Sequence, residues 1–329
     1  MEKTKILGRS GIKVSALGLS FRDICQDGRG LMDSSGSIHA IHCALDSGIN
    51  FLNIGEGYGY GEMVAGKAMA GRRDKMVIAV KPYDPHKGKT DFGEYVREID
   101  ITKACETSLA HLQTDYIDLY LLPSGILSFS PEDVVIKALE SLLESGKILA
   151  YGICTDTKET ARRFSAFPHC AAIQYHMNFF HGNEEITKIC EEYGMAGLIR
   201  SPLAKGFLTG KYNAGMDDAR NGMSCPDYLH APYLRNGKLV PELVRKLEMN
   251  KDIFTCAGRT LAQGALSWLW AKSKNIIPIP GFRTALQAME NAGVLSFGPL
   301  TKDQMEEINR RTIFMENTQM QHGSLLHVG

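Results

Sequence analysis

The strongest constraint on what this chain can fold into is an eightfold alternation. Eight short apolar runs are separated by stretches with helical spacing, and the pattern holds from Ala16 to Gly293. The runs are Ala16–Ser20, Phe51–Ile54, Met76–Val80, Tyr116–Leu122, Leu149–Ile153, Ala171–Gln174, Ala196–Ile199 and Ile276–Ile279. Short continuous apolar runs bounded by turn signals read as parallel strands covered on both faces by crossover helices. The pattern predicts an α/β fold, a closed (β/α)8 TIM barrel. A doubly wound open sheet is the alternative, but it wants a phosphate fingerprint after its first strand. The stretch LGLSFRD (Leu17–Asp23) has none. No linker or composition shift divides the chain, so a single domain over residues 1–329 is expected.

The helices are punctuated by caps and stops. Ser37 is placed to cap a helix with Ile38, Ile41 and Leu45 on one face, and Gly48 ends it. Further helices are predicted over Glu62–Ala70, Tyr95–Leu112, Thr157–Ser165 and Glu184–Tyr193. Another starts at Ser130-Pro131-Glu132-Asp133 and stops at Gly146. Ahead of the barrel, Lys3–Val14 reads as a β-hairpin turning at Gly8–Gly11. After the seventh run comes a long loop, Thr209–Leu239, of a length usually reserved for function. Extra C-terminal helices are expected over Pro241–Ala257, over Leu261–Ala271 and after the capping box Thr301-x-x-Gln304, besides Thr284–Gly293. The polar tail from Glu316 reads as loosely held.

The totals exclude several classes. The 37 basic residues equal the 37 acidic ones, so nucleic acid and anionic membrane are not expected partners. No apolar run is long enough to span a membrane, and the start MEKTKILGRS has no signal-peptide core. The eight cysteines are scattered without a C-x-x-C pair, which suits reduced thiols in a cytoplasmic protein and points to no metal site.

The chemistry-bearing residues gather at predicted strand ends. The stretch NFLNIGEGYGYGE (Asn50–Glu62) runs from a strand into alternating glycines, with Tyr58 among them. Its spacing is not the dinucleotide fingerprint, because the third glycine would fall at Tyr60. Asn53 and Tyr58 follow the second strand, Lys81 the third, Ser124 the fourth, and Cys154 with Thr155 the fifth. Gln174 ends the sixth, Arg200 and Ser201 the seventh, and Arg283 follows the eighth. Any one could be an ordinary polar residue. A ring of them at the C-terminal ends of a barrel reads as a pocket for a small molecule.

At these segments the chain resembles the aldo-keto reductases, over nearly its whole length. The matching stretches are Leu7–Ser20, Ala44–Glu62, Ser108–Leu122, Leu143–Ile153, Ser201–Tyr212 and Ile277–Gly293. The resemblance implies a (β/α)8 barrel that binds NADP(H) in an extended pose without a Rossmann domain. It also implies a catalytic set of aspartate, tyrosine, lysine and histidine. Carried over, the tyrosine is Tyr58, the acid that protonates the carbonyl oxygen, and the lysine that lowers its pKa is Lys81. The aspartate position is Asn53 and the histidine position is Pro123. The residues that hold the nicotinamide amide become Cys154, Thr155 and Gln174, and the stacking ring becomes Arg200. Ser201, Leu203, Lys205 and Gly206 lie in the pyrophosphate loop. Gly281, Arg283, Gln287, Glu290 and Asn291 match the adenosine end. Arg22, Pro123 and Ser124 fall on the substrate side.

Half of the catalytic set is replaced while the adenosine end is kept. Two arginines, Arg22 and Arg200, are expected at the nicotinamide half, where they would repel unless an anion or carboxylate lies between them. The leading reading is an oxidoreductase for a small anionic carbonyl or hydroxy compound. The alternatives are a redox-neutral lyase, dehydratase or epimerase on the same barrel, and a non-catalytic binding barrel.

Overall fold

The structure, a computed structural model, describes residues 2–21, 34–54, 59–81, 98–128, 131–211, 233–235 and 238–325. It opens with β1 (Thr4–Ile6) and β2 (Lys13–Ser15), paired antiparallel as the hairpin the sequence predicts. The barrel repeat then runs β3 (Gly18–Ser20), α1 (Ser34–Asp46), β4 (Phe51–Ile54), α2 (Gly59–Met69), β5 (Val77–Val80) and α3 (Glu98–Leu112). It continues with β6 (Leu119–Pro123), α4 (Glu132–Glu144), β7 (Tyr151–Cys154), α5 (Lys158–Ser165), β8 (Cys170–His176), α6 (Glu184–Glu192) and β9 (Ala196–Arg200). A small hairpin, β10 (Leu234–Arg235) with β11 (Lys238–Leu239), precedes α7 (Pro241–Glu248), α8 (Lys251–Thr255) and α9 (Leu261–Lys272). The chain ends with β12 (Ile276–Pro278), α10 (Ala285–Gly293) and α11 (Lys302–Leu325).

Eight strands, from β3 through β9 and then β12, lie side by side in parallel. A bridge between Ser20 and Gly281, with the Ser20 N–H donating to the Pro280 carbonyl at 2.9 Å, brings the first strand to the last and closes the ring. The strands sort their residues by the two-residue period of a β-strand. Phe51, Ala79, Leu121, Ala172 and Leu198 are buried in one cluster that fills the barrel interior. Their neighbours Leu52, Ile78, Leu122, Ile173 and Ile199 belong to a second cluster, against the surrounding helices. Both faces of every strand are therefore dry, which is why the sequence shows continuous apolar runs rather than alternation.

Several elements differ from the sequence reading. Helix α1 starts at Ser34, so Ser37 sits inside it and is fully buried rather than capping. Pro131 occupies the N-cap position of α4 with no side-chain cap, and Ser130 lies outside the described residues. The single helix expected over Pro241–Ala257 breaks at Met249–Asn250, where the Asn250 Nδ2 donates to the Lys246 carbonyl at 2.8 Å. Side-chain competition of this kind for a backbone carbonyl is a known way for asparagine to end a helix. The long loop holds β10 and β11, although residues 212–232 lie outside the described residues. Helix α11 continues to Leu325, through the tail read as loosely held. The capping box at its start is present, with Gln304 N–H donating to Thr301 Oγ1 at 3.2 Å and Thr301 N–H to Gln304 Oε1 at 3.0 Å. Strand β8 runs two residues past Gln174, because Tyr175 and His176 still pair with Ile199 and Arg200. A polar residue had ended the predicted strand, but the ladder is made by backbone groups and passes through it.

The N-terminal hairpin is fastened to the end of the barrel opposite the strand C-termini. Arg9 donates to the carbonyls of Ser165, Phe167 and Cys170, and Gly8, at φ +52°, lies against the backbone of Ala171. A Cβ at Gly8 would come within 2.0 Å of the Ala171 carbonyl oxygen. Gly8→Ala combines left-handed strain with a backbone clash, so thermal unfolding should show a loss of about 2–4 kcal/mol. An unchanged melting temperature would mean that the hairpin does not rest on the barrel in this way.

Candidate active site

Strand alternation decides which side chains meet at the open end. Counting in twos from the interior residues places Asn53 after Phe51, Lys81 after Ala79, and Pro123 after Leu121. The same count places Gln174 and then His176 after Ala172, and Arg200 after Leu198. Asn53, Lys81 and Gln174 are buried, at 3%, 8% and 0% exposed. The Gln174 Nε2 donates to the Asn53 Oδ1 at 3.1 Å, so residues from β8 and β4 meet across the interior. That bond uses one of the two hydrogens on the glutamine nitrogen. Its Oε1 is buried and has no hydrogen-bond partner among the described residues. A buried acceptor left unpaired is costly, and a donor from any bound molecule would satisfy it. Where the resemblance leads one to expect an aspartate, the neutral Asn53 amide is held by Gln174.

One step nearer the open end, the charges are arranged differently from expectation. The Arg200 Nη2 donates to Asp156 Oδ2, and Asp156 Oδ1 accepts the His176 backbone N–H at 2.7 Å. The sequence reading sets Arg200 beside Arg22 with an anion or carboxylate between them. Its partner is instead Asp156, just beyond the end of β7. Beside this pair, His176 Nε2 lies 2.7 Å from Tyr233 Oη, and Asn178 Nδ2 donates to Tyr233 Oη at 2.8 Å and to the Ser201 carbonyl at 3.1 Å. Burial, then the nearby Arg200 guanidinium, pushes the His176 pKa down to about 4. Burial lifts the Tyr233 hydroxyl to about 12.

The remaining predicted residues form two further groups. Thr155 is buried and its N–H donates to the Gln174 carbonyl at 3.0 Å, while Cys154 is half-buried in register with Gln174. Ser201 (φ 52°), Ala204 (φ 49°), Lys205 (φ 59°) and Gly206 (φ 97°) carry left-handed backbone, and Leu203 is buried between them. The N–H groups of Ala204 and Gly206 are taken by the Ser201 and Leu203 carbonyls at 3.0 and 2.9 Å, so the turn is held in this shape by its own backbone. At the far side, Thr284 caps α10 by accepting the Gln287 N–H at 3.2 Å, and Gln287 Oε1 accepts the Arg283 N–H at 2.7 Å. Asn291 is buried, with its Nδ2 3.4 Å from the Gly281 carbonyl, and the Glu290 carbonyl accepts from Gln263 Nε2 at 2.8 Å. Arg283 is exposed beside the N-terminus of α10, where the helix dipole favours an anion. Ser124 begins a short 3-10 turn directly after Pro123. Arg22 and Tyr58 lie outside the described residues.

Four residues of this region escaped the sequence reading: Asp156, His176, Asn178 and Tyr233. His176 was within reach, since it stands two positions beyond Gln174 and a longer strand would have put both on one face. Tyr233 carries no such signal, because it arrives at the far end of a long loop. Among the described residues no group of three or more His, Cys, Asp or Glu could hold a metal. No described helix is long and apolar enough to cross a membrane.

A closed parallel barrel with polar residues gathered at its strand C-termini is the architecture of the (β/α)8 enzymes. The Aldo/keto reductase family matches residues 25–312, and the chain belongs to that family. It is 28% identical to the aldo-keto reductase YhdN of Bacillus subtilis (strain 168), over 97% of this chain and 95% of the relative. In fold it is similar to the glycerol dehydrogenase AKR11B4 from Gluconobacter oxydans, with a TM-score of 0.76, 22% identity and 94% of each chain covered. It is likewise similar to an aldo/keto reductase from Klebsiella pneumoniae solved in complex with NADP and acetate. There the TM-score is 0.68 with 24% identity, covering 95% of this chain and 96% of that one.

The depressed His176 pKa fixes a pH dependence. Below its ordinary value of 6.5 the unfolded chain takes up a proton that the folded chain refuses until about pH 4. Stability from this residue is therefore complete above about 6.5 and is lost as the pH falls toward about 4. Denaturant titrations from pH 7 to pH 4 should show the fall in the natural protein and a shallower one in His176→Gln. Parallel curves for the two would show that the ring is not held neutral.

Proposed function

We propose that this chain is an NADP(H)-dependent oxidoreductase acting on a small anionic carbonyl or hydroxy compound, with Tyr58 as acid/base aided by Lys81. The observation that carries the reading is Gln174, whose buried Oε1 lacks a partner while its Nε2 donates to Asn53. An acceptor so placed suits the carboxamide N–H of a nicotinamide. Cys154 and Thr155 would line the same ring, and Ser201, Leu203, Lys205 and Gly206 would cradle the pyrophosphate. Arg283 would meet a 2′-phosphate at the N-terminus of α10, with Gln287, Glu290 and Asn291 around the adenosine. Family membership supports the oxidoreductase class. The Klebsiella pneumoniae relative, with NADP and acetate bound, is consistent with both the cofactor and an acidic ligand.

When bound, the reduced nicotinamide supplies a hydride to a carbonyl carbon. The chain's own part is to position that carbon and to deliver a proton to its oxygen. Tyr58 gives the proton, and the Lys81 ammonium favours the tyrosinate that remains. Asn53 cannot offset the lysine charge as a carboxylate would, and Pro123 offers the substrate no hydrogen bond. Both departures favour a substrate that brings its own negative charge, with Arg22 and Ser124 on the substrate side. The whole chain, residues 1–329, is proposed to act as one domain.

Titration of NADPH fluorescence tests the cofactor, and NADPH should bind more tightly than NADH. Arg283→Ala should weaken NADPH about 10- to 100-fold, as expected for one charge-assisted bond, and leave NADH nearly unchanged. Equal affinity for the two cofactors in the natural protein would sink the assignment.

Tyr58→Phe should keep NADPH binding and lower turnover about 10²- to 10⁴-fold. The natural sequence should reduce simple aldehydes poorly, and Asn53→Asp with Pro123→His should improve it. Ordinary rates on simple aldehydes without those changes would show that the missing groups matter little. Bound NADPH that is never consumed while substrate is converted would favour the redox-neutral lyase, dehydratase or epimerase.

A further inference from the structure

We propose that His176, from the end of β8, orients the substrate oxygen in place of the imidazole that Pro123 cannot provide, by donating from Nδ1–H as a neutral ring. This inference rests on the oxidoreductase reading above and adds a residue that nothing in the family pattern assigns to the role.

Position comes first. The Tyr175 hydroxyl meets Thr187 Oγ1 of α6 at 2.8 Å, so Tyr175 points outward to the helix layer. Gln174 points inward to Asn53. His176 must then share the inward side with Gln174, one step nearer the open end. Pro123 is in register with Cys154, and Cys154 with Gln174. The vacant role and the imidazole thus belong to the same rim, two strands apart.

The hydrogen bonds decide which ring nitrogen carries the proton. Asn178 Oδ1 accepts the backbone N–H groups of Phe180 at 3.0 Å and His181 at 3.3 Å, which fixes the orientation of the amide. Its Nδ2 can only donate, and it donates to Tyr233 Oη and to the Ser201 carbonyl. Tyr233 Oη, already an acceptor, has its own proton free for His176 Nε2 at 2.7 Å. Asn178 Nδ2, a donor only, also lies 3.3 Å from Nε2, so Nε2 is the acceptor and the neutral ring carries its hydrogen on Nδ1. Among the described residues Nδ1 has no hydrogen-bond partner.

The surroundings keep the ring uncharged. Burial is the largest cause, Arg200, His181 and Lys205 act in the same direction, and Asp156 alone among these opposes them. Tyr233 stays protonated at any pH of interest and holds the ring as a donor. A neutral N–H can polarise a carbonyl without adding a cation to a rim that already carries Lys81 and Arg200. The same bonds could serve merely to seat Tyr233 after the long loop, so the test must separate ligand contact from packing.

The experiment uses the full chain saturated with NADP+, which cannot reduce an aldehyde, and 4-carboxybenzaldehyde as the probe. Long-range proton–nitrogen NMR of the imidazoles should report the Nδ1–H form for His176, and its Nδ1 resonance should move when the probe is added. His176→Phe should weaken the probe about tenfold or more while NADP+ affinity stays within about twofold. Tyr233→Phe keeps the ring but frees the tautomer, and should give a smaller loss of probe affinity with mixed tautomers. An Nε2–H form, a resonance unmoved by the probe, or unchanged probe affinity in His176→Phe would each overturn the proposal. So would failure of the natural protein to bind the probe while it binds NADP+. If the phenylalanine variant does not fold, the tautomer and the resonance shift in the natural protein decide. Failure of the natural protein to bind NADP+ at all would instead overturn the oxidoreductase reading, and this proposal with it.

Discussion

The site depends on a steric limit: the interior of an eight-stranded parallel barrel is only wide enough for side chains to fill it. Each strand must therefore send every second residue inward, and those residues must be apolar wherever neighbours press on all sides. Phe51, Ala79, Leu121, Ala172 and Leu198 meet that demand. The next inward positions, Asn53, Lys81, Pro123, Gln174 and Arg200, stand where the packed interior gives out at the strand C-termini. A polar group one pair lower would be buried without a partner, at a cost of about 1–3 kcal/mol. The polar side chains named here therefore begin only where the packed interior ends.

Within the ring, two layers behave differently. The deeper layer is neutral where the family resemblance leads one to expect a carboxylate, with Asn53 and Gln174 bonded to each other across the interior. Among the described residues a carboxylate lies further out, on Asp156, which holds both Arg200 and the backbone of His176. Moving a carboxylate from the base of the pocket to its rim changes what it can do. At the base it would tether a lysine, whereas at the rim it neutralises an arginine and steadies the last pair of β8. The His176, Asn178 and Tyr233 network continues from there and ties the end of the long loop to the strand ends.

Much of this was legible in the residues. Short apolar runs between helical stretches reported strands dry on both faces, and the structure has those eight strands in that order. The hairpin, the capping box at Thr301 and the stops at Gly48 and Gly146 were legible because each depends on contacts a few residues apart. Boundaries were less so. Ser37 had the chemistry of a cap and became part of the core, because packing of α1 outweighed a single side-chain bond. The break at Asn250 was missed because apolar spacing continues through it.

By itself, then, the sequence determined the barrel and put Asn53, Lys81, Gln174 and Arg200 at the ends of its strands, since periodicity and turn chemistry act locally. Only the tertiary structure decided how those residues are paired. That Gln174 donates to Asn53 and is left with an empty acceptor follows from strands β4 and β8 facing each other across the interior, 121 positions apart in the chain. That Arg200 is answered by Asp156, and His176 by Tyr233, follows from the closure of the ring and the return of a long loop onto it. Hydrogen bonds reach about 3 Å, and no local pattern encodes which distant groups will come within that range.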